Sequence, residues 1–307
     1  MPTTVTRRTL DLAGLDVPYV EAAGTKDGPL LTVIAGVHGC EYVPMAAVQE
    51  WTRSLEQREI SGRVRAVPVL NVTAFRGRSP FVVPEDGKNL NRCFPGNPDG
   101  TLAERLAHAA FTQLITGSDA VIDAHCGDMV EALEPFALYE AGTAEAAARD
   151  LALAYGLGYI IRQEAGPDRA VSGTSSGAAA AAGIPAITAE AGGCGIVERW
   201  AVDAHVGGLN AVLAQLGMAA PVDAAAPREP VVLNRFLWLR CAAAGWWAPT
   251  VKAGDKVSEG QVIGRVTSLD GAQVQESITA PADGVIIFLT SSPAVADDGL
   301  LLGLGAA

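Results

Sequence analysis

Four histidines occur in 307 residues, and two of them stand in short glycine-containing motifs that also carry acids. The first motif runs Ala35-Gly36-Val37-His38-Gly39-Cys40-Glu41, and the second Ile122-Asp123-Ala124-His125-Cys126-Gly127-Asp128. A histidine and a carboxylate three residues apart across a tight turn can converge on one cation. With His125 added, His38 and Glu41 form the two-histidine, one-carboxylate set that leaves a zinc ion one open position for water. Taken alone, the first motif also reads as a surface turn that puts Glu41 at a helix start, where a carboxylate is favoured. His108 and His205 fall inside helical stretches and read as structural or solvated side chains.

A water activated by a metal needs a base to take its proton, and a carboxylate in a partly desolvated pocket suits that task. Glu190 follows the apolar run Ile184-Pro185-Ala186-Ile187-Thr188-Ala189 and precedes Ala191-Gly192-Gly193, so an acid ends a buried strand beside glycines that admit a substrate. A capping or turn carboxylate is the alternative. Between the two histidine motifs lie Phe75-Arg76-Gly77-Arg78-Ser79 and Asp86-Gly87-Lys88-Asn89-Leu90-Asn91-Arg92-Cys93-Phe94-Pro95-Gly96. Long ordered loops in small domains tend to carry function. In an acidic chain, clustered guanidinium groups point to a specific anion, and arginine binds carboxylates bidentately. Otherwise Arg92 pins the loop by pairing with a nearby acid.

These residues must be held by regular elements. From Leu31 to about Gly217, short β-branched runs alternate with longer Ala/Leu-rich amphipathic ones, the pattern of strands and crossover helices in an α/β sheet. The expected strands are Leu31–Ala35, Val64–Leu70, Ala120–Asp123, Phe136–Tyr139, Tyr159–Ile161 and Pro185–Ala189. The expected helices are Pro44–Leu55, Leu102–Ile115, Ala144–Tyr155, Ser175–Ala182 and Glu198–Leu216, and the residues before Leu31 read as a hairpin. Ala219–Pro230, rich in Ala, Pro and acids, reads as a linker. Beyond it, Gly/Asp/Pro turns at close spacing predict a small all-β unit. The expected division is a catalytic α/β domain over 1–220 and a β domain over 228–307.

At about 150 residues per domain, the length suits two domains, and a chain this long stays folded without disulfides or metals. Lys plus Arg is 22 and Asp plus Glu is 34, a net charge of −12 with a pI near 4.8. That field repels nucleic acid and anionic lipid, so neither is an expected partner. The N-terminus has Arg7 and Arg8 but no apolar signal core. The five cysteines, an odd number, suit reduced thiols and a cytoplasmic location. Four of them, Cys40, Cys93, Cys126 and Cys194, fall within glycine- or histidine-containing motifs, so oxidant sensitivity is expected.

Taken in order, Gly36-Val37-His38-Gly39-Cys40-Glu41, Asn89-Leu90-Asn91-Arg92-Cys93-Phe94-Pro95-Gly96, Asp123-Ala124-His125-Cys126-Gly127 and Glu190-Ala191-Gly192 resemble the succinylglutamate desuccinylase/aspartoacylase family. The resemblance spans the whole chain. It implies a mixed central sheet flanked by helices, as in zinc carboxypeptidases, with a C-terminal all-β barrel-sandwich-like domain at the active-site mouth. It further implies one zinc ion per chain on His38, Glu41 and His125, Glu190 as general base, and Asn91 with Arg92 on a substrate carboxylate. An upstream arginine polarises the scissile carbonyl in the family; Arg78 is the nearest match and Arg76 the second. The implied activity is hydrolysis of a small N-acyl amino acid, with room for a homo-oligomer. Aspartoacylases proper use a C-terminal tyrosine, and no Tyr follows Tyr159. The chain therefore looks closer to bacterial relatives such as the acetyl-diaminobutyrate deacetylases of ectoine breakdown.

Val251–Gly264 is similar to the turn pattern of lipoyl/biotinyl barrels, but no Lys follows Lys256, so a carrier role fails and a wall over the site mouth is expected. Trp246 and Trp247 belong either to that wall or to the β core. Two rival functions stay open on sequence grounds: a zinc carboxypeptidase of short peptides, and a non-catalytic zinc site built from the cysteines and histidines.

Overall fold

Every residue of Leu31–Ala35 and of Ala120–His125 is buried, as expected for parallel strands covered on both faces in the middle of an α/β sheet. The structure, a computed structural model, describes residues 3–164, 172–222 and 230–306. Its first ten strands are β1 (Thr4–Leu12), β2 (Leu15–Ala23), β3 (Lys26–Ala35), β4 (Ser61–Val67), β5 (Ala120–His125), β6 (Glu131–Leu133), β7 (Phe136–Glu140), β8 (Tyr159–Gln163), β9 (Ala186–Glu190) and β10 (Val231–Leu233). All but β6 form one nine-stranded sheet in the order β1-β2-β4-β3-β5-β9-β7-β8-β10. β4, β3, β5 and β9 run parallel, and β9 meets β7 antiparallel, which makes the sheet mixed. The expected hairpin is β1–β2.

Helices α1 (Tyr42–Ser54), α2 (Val72–Gly77), α3 (Leu102–Ala110), α4 (Glu145–Tyr155), α5 (Ser175–Ala181) and α6 (Arg199–Gln215) lie between and beside the strands. One sheet face is covered by α1, α4 and α6, whose Val48, Trp51, Leu151, Leu209 and Leu213 pack on Val33, Ile122 and Ile187. Each fully buried aliphatic side chain of this kind contributes about 1.5–3 kcal/mol. The other face has two covers. Over β3, β5 and β9 lie α3 and α5, where Leu106, Ala107 and Ala179 meet Ile34, Val121 and Ala186. Over β7, β8 and β10 lie C-terminal strands, whose Val285 and Ile287 pack on Phe136, Ile161 and Leu233. A seam runs between the two covers.

The C-terminal strands are β11 (Arg235–Arg240), β12 (Gly245–Pro249), β13 (Lys256–Val257), β14 (Val262–Thr267), β15 (Val274–Thr279), β16 (Gly284–Thr290), β17 (Ala294–Val295) and β18 (Leu300–Ala306). They form two antiparallel sheets, β11-β18-β16-β13 with β6 added beside β16, and β15-β14-β12-β17. Trp247, Ile263, Val266, Ile286 and Leu302 share the core between them.

Several boundaries differ from the sequence expectation. The strand expected to reach Leu70 stops at Val67, before Pro68, which has no N–H for the ladder. The helix expected over Leu102–Ile115 is α-helical to Ala110 and closes with a wider π turn, Phe111–Ile115. Of the expected linker, residues 223–229 lie outside the described residues. Two short strands change partners across it. β10, beyond the linker, extends the large sheet through β8, while β6, before it, joins the C-terminal sheet through β16.

Candidate active site

The site forms at the carboxyl ends of β3, β5 and β9, where open α/β sheets place ligands. After β3 the chain turns through Gly36 at φ +66° and packs so close to α2 that a Cβ on Gly39 would lie 2.3 Å from the Ala74 backbone. Only glycine fits there, and the tight turn delivers His38 and Glu41 together at the start of α1. His125 arrives on the neighbouring strand, as the last residue of β5.

The three side chains meet around one point. His38 Nδ1 lies 2.6 Å from Glu41 Oε1, and His125 Nδ1 lies 2.7 Å from Glu41 Oε2. Among the described residues, His38, Glu41 and His125 form the one group of histidine, cysteine and acid side chains close enough to share a metal ion. All three are buried. The remaining ring nitrogens are also held: His38 Nε2 lies 3.1 Å from Asn89 Oδ1, and His125 Nε2 lies 2.9 Å from Asp123 Oδ1. Metal-ligating histidines almost always have such a second partner, which fixes tautomer and ring orientation. The donor set therefore fits a zinc ion: two imidazoles, one carboxylate, and outer groups that hold both rings.

Protonation follows the same geometry. Burial works against a charged Glu41, but His38 and His125 outweigh it and hold the carboxyl down at about 2. Burial likewise opposes a charged His125, yet Asp123 and Glu41 keep its pKa well above the usual histidine value. Asp123 is fully buried and accepts a hydrogen bond from the Ser175 hydroxyl. The Ser175 backbone N–H donates to Asn91 Oδ1 at 2.9 Å, and Asn91 Nδ2 lies 3.4 Å from His125 Nε2. The Asn89–Arg92 turn is thus tied to both histidines and to the start of α5.

Glu190 ends β9 in register with His125 on one side and Phe136 on the other. Burial pushes its carboxyl well above the usual carboxylate range, and the nearby charges of Glu41, Glu131 and Asp123 push the same way. Glu131, on β6, is raised to about 7, by burial first and then by Glu41 and Asp128.

A cavity of about 510 Å3 opens in the seam over this row, within the usual range for small-molecule sites. His38, Glu41, Asn91, Arg92, His125 and Glu190 all line it. Arg76 and Arg78 do not. Arg76 is exposed on α2, and Arg78 is the exposed, left-handed residue that caps it. The charge of Arg78 nevertheless reaches Cys40 and Tyr42, on either side of Glu41, so the carbonyl-polarising role expected of Arg78, or of Arg76, stays a proposal. A second lining arginine comes instead from β11: Arg240, anchored to the Asp298 carbonyl at 2.6 Å.

Trp247 is 2 % exposed and belongs to the β core, while Trp246 is half exposed; neither lines the cavity. The tryptophan that does is Trp238. Sequence reasoning passed over Trp238, Arg240, Glu131 and Ser175; the alternation of Phe236, Trp238 and Arg240 along β11 was the available signal. No cysteine joins the His38–Glu41–His125 group. Cys126 lines the cavity, but its thiol donates to the Gly127 carbonyl, and burial raises its pKa well above the ordinary value. Cys40 and Cys93 are raised in the same direction by burial. Protonated thiols are poor nucleophiles and oxidise slowly, so oxidant sensitivity at these three positions does not follow.

Three comparisons bear on this geometry. Residues 27–216 match the model of the succinylglutamate desuccinylase/aspartoacylase catalytic domain. The chain is 31% identical over 271 residues to the N-alpha-acetyl-L-2,4-diaminobutyric acid deacetylase of Halomonas elongata, covering 85% of this chain and 77% of that protein. In fold it is similar to the product-bound ectoine utilization protein EutE (DoeB) from Ruegeria pomeroyi, with a TM-score of 0.86 at 24% identity over 100% of this chain and 96% of the other. It is also similar to a succinylglutamate desuccinylase from Silicibacter, with a TM-score of 0.84 at 23% identity over 99% and 96% of the two chains. With its ordered motifs on the ends of β3, β5 and β9, the chain belongs to the succinylglutamate desuccinylase/aspartoacylase family.

Proposed function

We propose that the chain hydrolyses the amide bond of a small N-acyl amino acid with the help of one zinc ion held by His38, Glu41 and His125. The observation that carries this reading is the convergence of those three buried side chains on one point, with Asn89 and Asp123 behind the rings and Glu190 beside them. Zinc bound there would polarise the scissile carbonyl and bring a water's pKa to about 7.

The chain's own residues then supply the rest. Arg92, with Asn91, holds the substrate carboxylate and so places the amide at the end of β9. Glu190, raised in pKa by its burial, takes the proton from the attacking water and returns it to the leaving amine. Water adds across the C–N bond, yielding a carboxylic acid and a free amine. An amino acid with a second amine, as in the substrate named for the Halomonas deacetylase, fits the excess of carboxylates around the cavity.

The division into a catalytic unit over 1–220 and a β unit over 228–307 is proposed with it, the latter closing the cavity through β11 and β16. That closure favours short substrates over peptides. No helix among the described residues is long and apolar enough to cross a membrane, and the free thiols suit a cytoplasmic setting.

Glu190→Gln tests the assignment. The variant should keep one zinc per chain and lose activity on N-acyl amino acids by about 10²–10⁴-fold. Full zinc with retained turnover would refute the base. A dipeptide hydrolysed faster than any N-acyl amino acid would favour the carboxypeptidase reading.

A further inference from the structure

Beyond Glu190, the cavity continues into a compartment that hydrolysis of an acetyl group does not use. The register places its walls. His125, Glu190 and Phe136 stand side by side on β5, β9 and β7, so Phe136 lies on the side of the base away from the histidines. Facing it, the C-terminal sheet contributes a row across four strands: Leu133 pairs with Phe288, Phe288 with Gly303, and Gly303 with Trp238. Phe236 precedes Trp238 by two residues and faces the same way. The rings pack on one another, with centroids 5.9 Å apart for Phe136 and Phe236 and 5.1 Å apart for Trp238 and Phe288.

Gly303 makes this wall possible. A Cβ there would lie 2.4 Å from the Phe288 ring and 2.7 Å from the Phe236 ring, so a side chain would drive the rings apart. All four aromatic residues line the cavity.

We propose that Phe136, Phe236, Trp238 and Phe288 wall a chamber that takes the acyl chain of the substrate and favours acyl groups longer than acetyl. The inference rests on the proposed deacylase reading, through the direction in which the substrate lies. Asn89–Arg92 is anchored on the His38, His125 and Ser175 side. A substrate whose carboxylate is held there, with its carbonyl between His125 and Glu190, points the acyl half onward along the row to Phe136. An acyl chain in that direction meets ring faces and Leu133 first, with the charged lining residues Glu131, Glu140 and Arg240 two to four residues along the same strands, at the ends of the aromatic row. Each methylene buried there is worth about fourfold in binding.

The test is a series of N-acetyl, N-butyryl and N-hexanoyl derivatives of one amino acid, assayed with the wild type and Trp238→Ala. The wild-type kcat/KM should rise at least tenfold from acetyl to hexanoyl, and the hexanoyl-to-acetyl ratio should collapse at least tenfold in Trp238→Ala. The ratio between N-acetyl-phenylalanine and N-acetyl-alanine should be the same in both proteins. A flat acyl series, or a Trp238→Ala effect that follows the amino-acid side chain, overturns the chamber and leaves the deacylase reading standing. Calorimetric titration of the purified protein with hexanoate and acetate gives a readout without turnover. Tighter hexanoate binding, lost in Trp238→Ala, supports the chamber even if no N-acyl amino acid is hydrolysed, a result that sinks only the deacylase reading. Equal binding of the two acids refutes the chamber.

Discussion

Replacing Asp123 by Asn changes one charge and almost no volume at a fully buried position. The side chain touches two groups, His125 Nε2 at 2.9 Å and the Ser175 hydroxyl. Asn has one acceptor oxygen where Asp has two, so it keeps its oxygen toward His125 and turns an amide N–H toward the Ser175 hydroxyl, which can accept it; what is lost at His125 is the charge of the contact. A hydrogen bond to a charged group is worth about 1.5–3 kcal/mol against about 1 for a neutral one. The difference for the His125 contact, about 0.5–2 kcal/mol, overlaps the ten- to hundredfold loss of metal affinity usual when such a partner is removed.

The pH dependence separates this cause from simple misfolding. In the metal-free protein Asp123 also helps hold the His125 proton, keeping its pKa well above the ordinary value, and that proton must leave before a metal binds. Asp123→Asn should lower the histidine pKa, so proton competition fades at lower pH in the variant. Zinc affinity, measured by competition with a chromophoric chelator from pH 6 to 9, should be weaker in the variant by ten- to hundredfold at the alkaline end. The gap should narrow as pH falls. A gap of constant size across the range, or equal affinities at high pH, would refute the argument that Asp123 acts through His125.

Arg92→Lys should raise KM for N-acyl amino acids about tenfold or more while changing kcat less, because a point charge replaces a bidentate fork; steady-state kinetics decide it, and an unchanged KM would exclude Arg92 from carboxylate binding. In the β core, Trp247→Ala should cost about 3–5 kcal/mol, since the ring is 2 % exposed and its N–H donates to the Thr290 carbonyl. Trp246→Ala, half exposed, should fall within about 0.5 kcal/mol of the wild type in denaturant unfolding.

The legible parts of the site were those with short spacing. His38 and Glu41 are three residues apart, and a glycine turn between a buried strand and a helix leaves them little choice of direction. His125 and Glu190 were legible because each ends an apolar run, and strand ends in a parallel sheet share one edge. Where the arginines stand relative to the cavity was not legible, for the opposite reason. Arg76 and Arg78 precede the Asn-Arg pair closely in sequence, but which side of α2 faces the cavity depends on where Ala74 packs against Gly39, a contact between elements. The aromatic wall left only a weak signal on β11: Phe236, Trp238 and Arg240 alternate with Leu237 and Leu239, so both faces are largely apolar and the pattern does not say which one lines a cavity. The partner exchange of β6 and β10 is likewise set by long-range pairing, with three residues in each strand too few for a periodic signal.

The acidity of the chain takes on a local meaning at this site. Glu41, Asp123, Asp128, Glu131 and Glu190 gather around two histidines, while Arg92 and Arg240 are the arginines that line the cavity. Five carboxylates cannot all ionise in a half-closed space without compensation. In the metal-free chain, protons provide it: His125, Glu131, Asp128 and Glu190 are all shifted toward their protonated forms, chiefly because neighbouring acids or burial make the added negative charge costly. A divalent cation on His38, Glu41 and His125 would supply the same compensation with two charges at one point, and would displace protons on binding. Under the proposed assignment, a cation on His38, Glu41 and His125 would also favour ionised Glu190, so the base and the metal site would be coupled electrostatically. On the proposed function, the acids beyond three ligands and a base would favour a cation in the cavity, whether a metal ion on the histidines or an amine on the substrate.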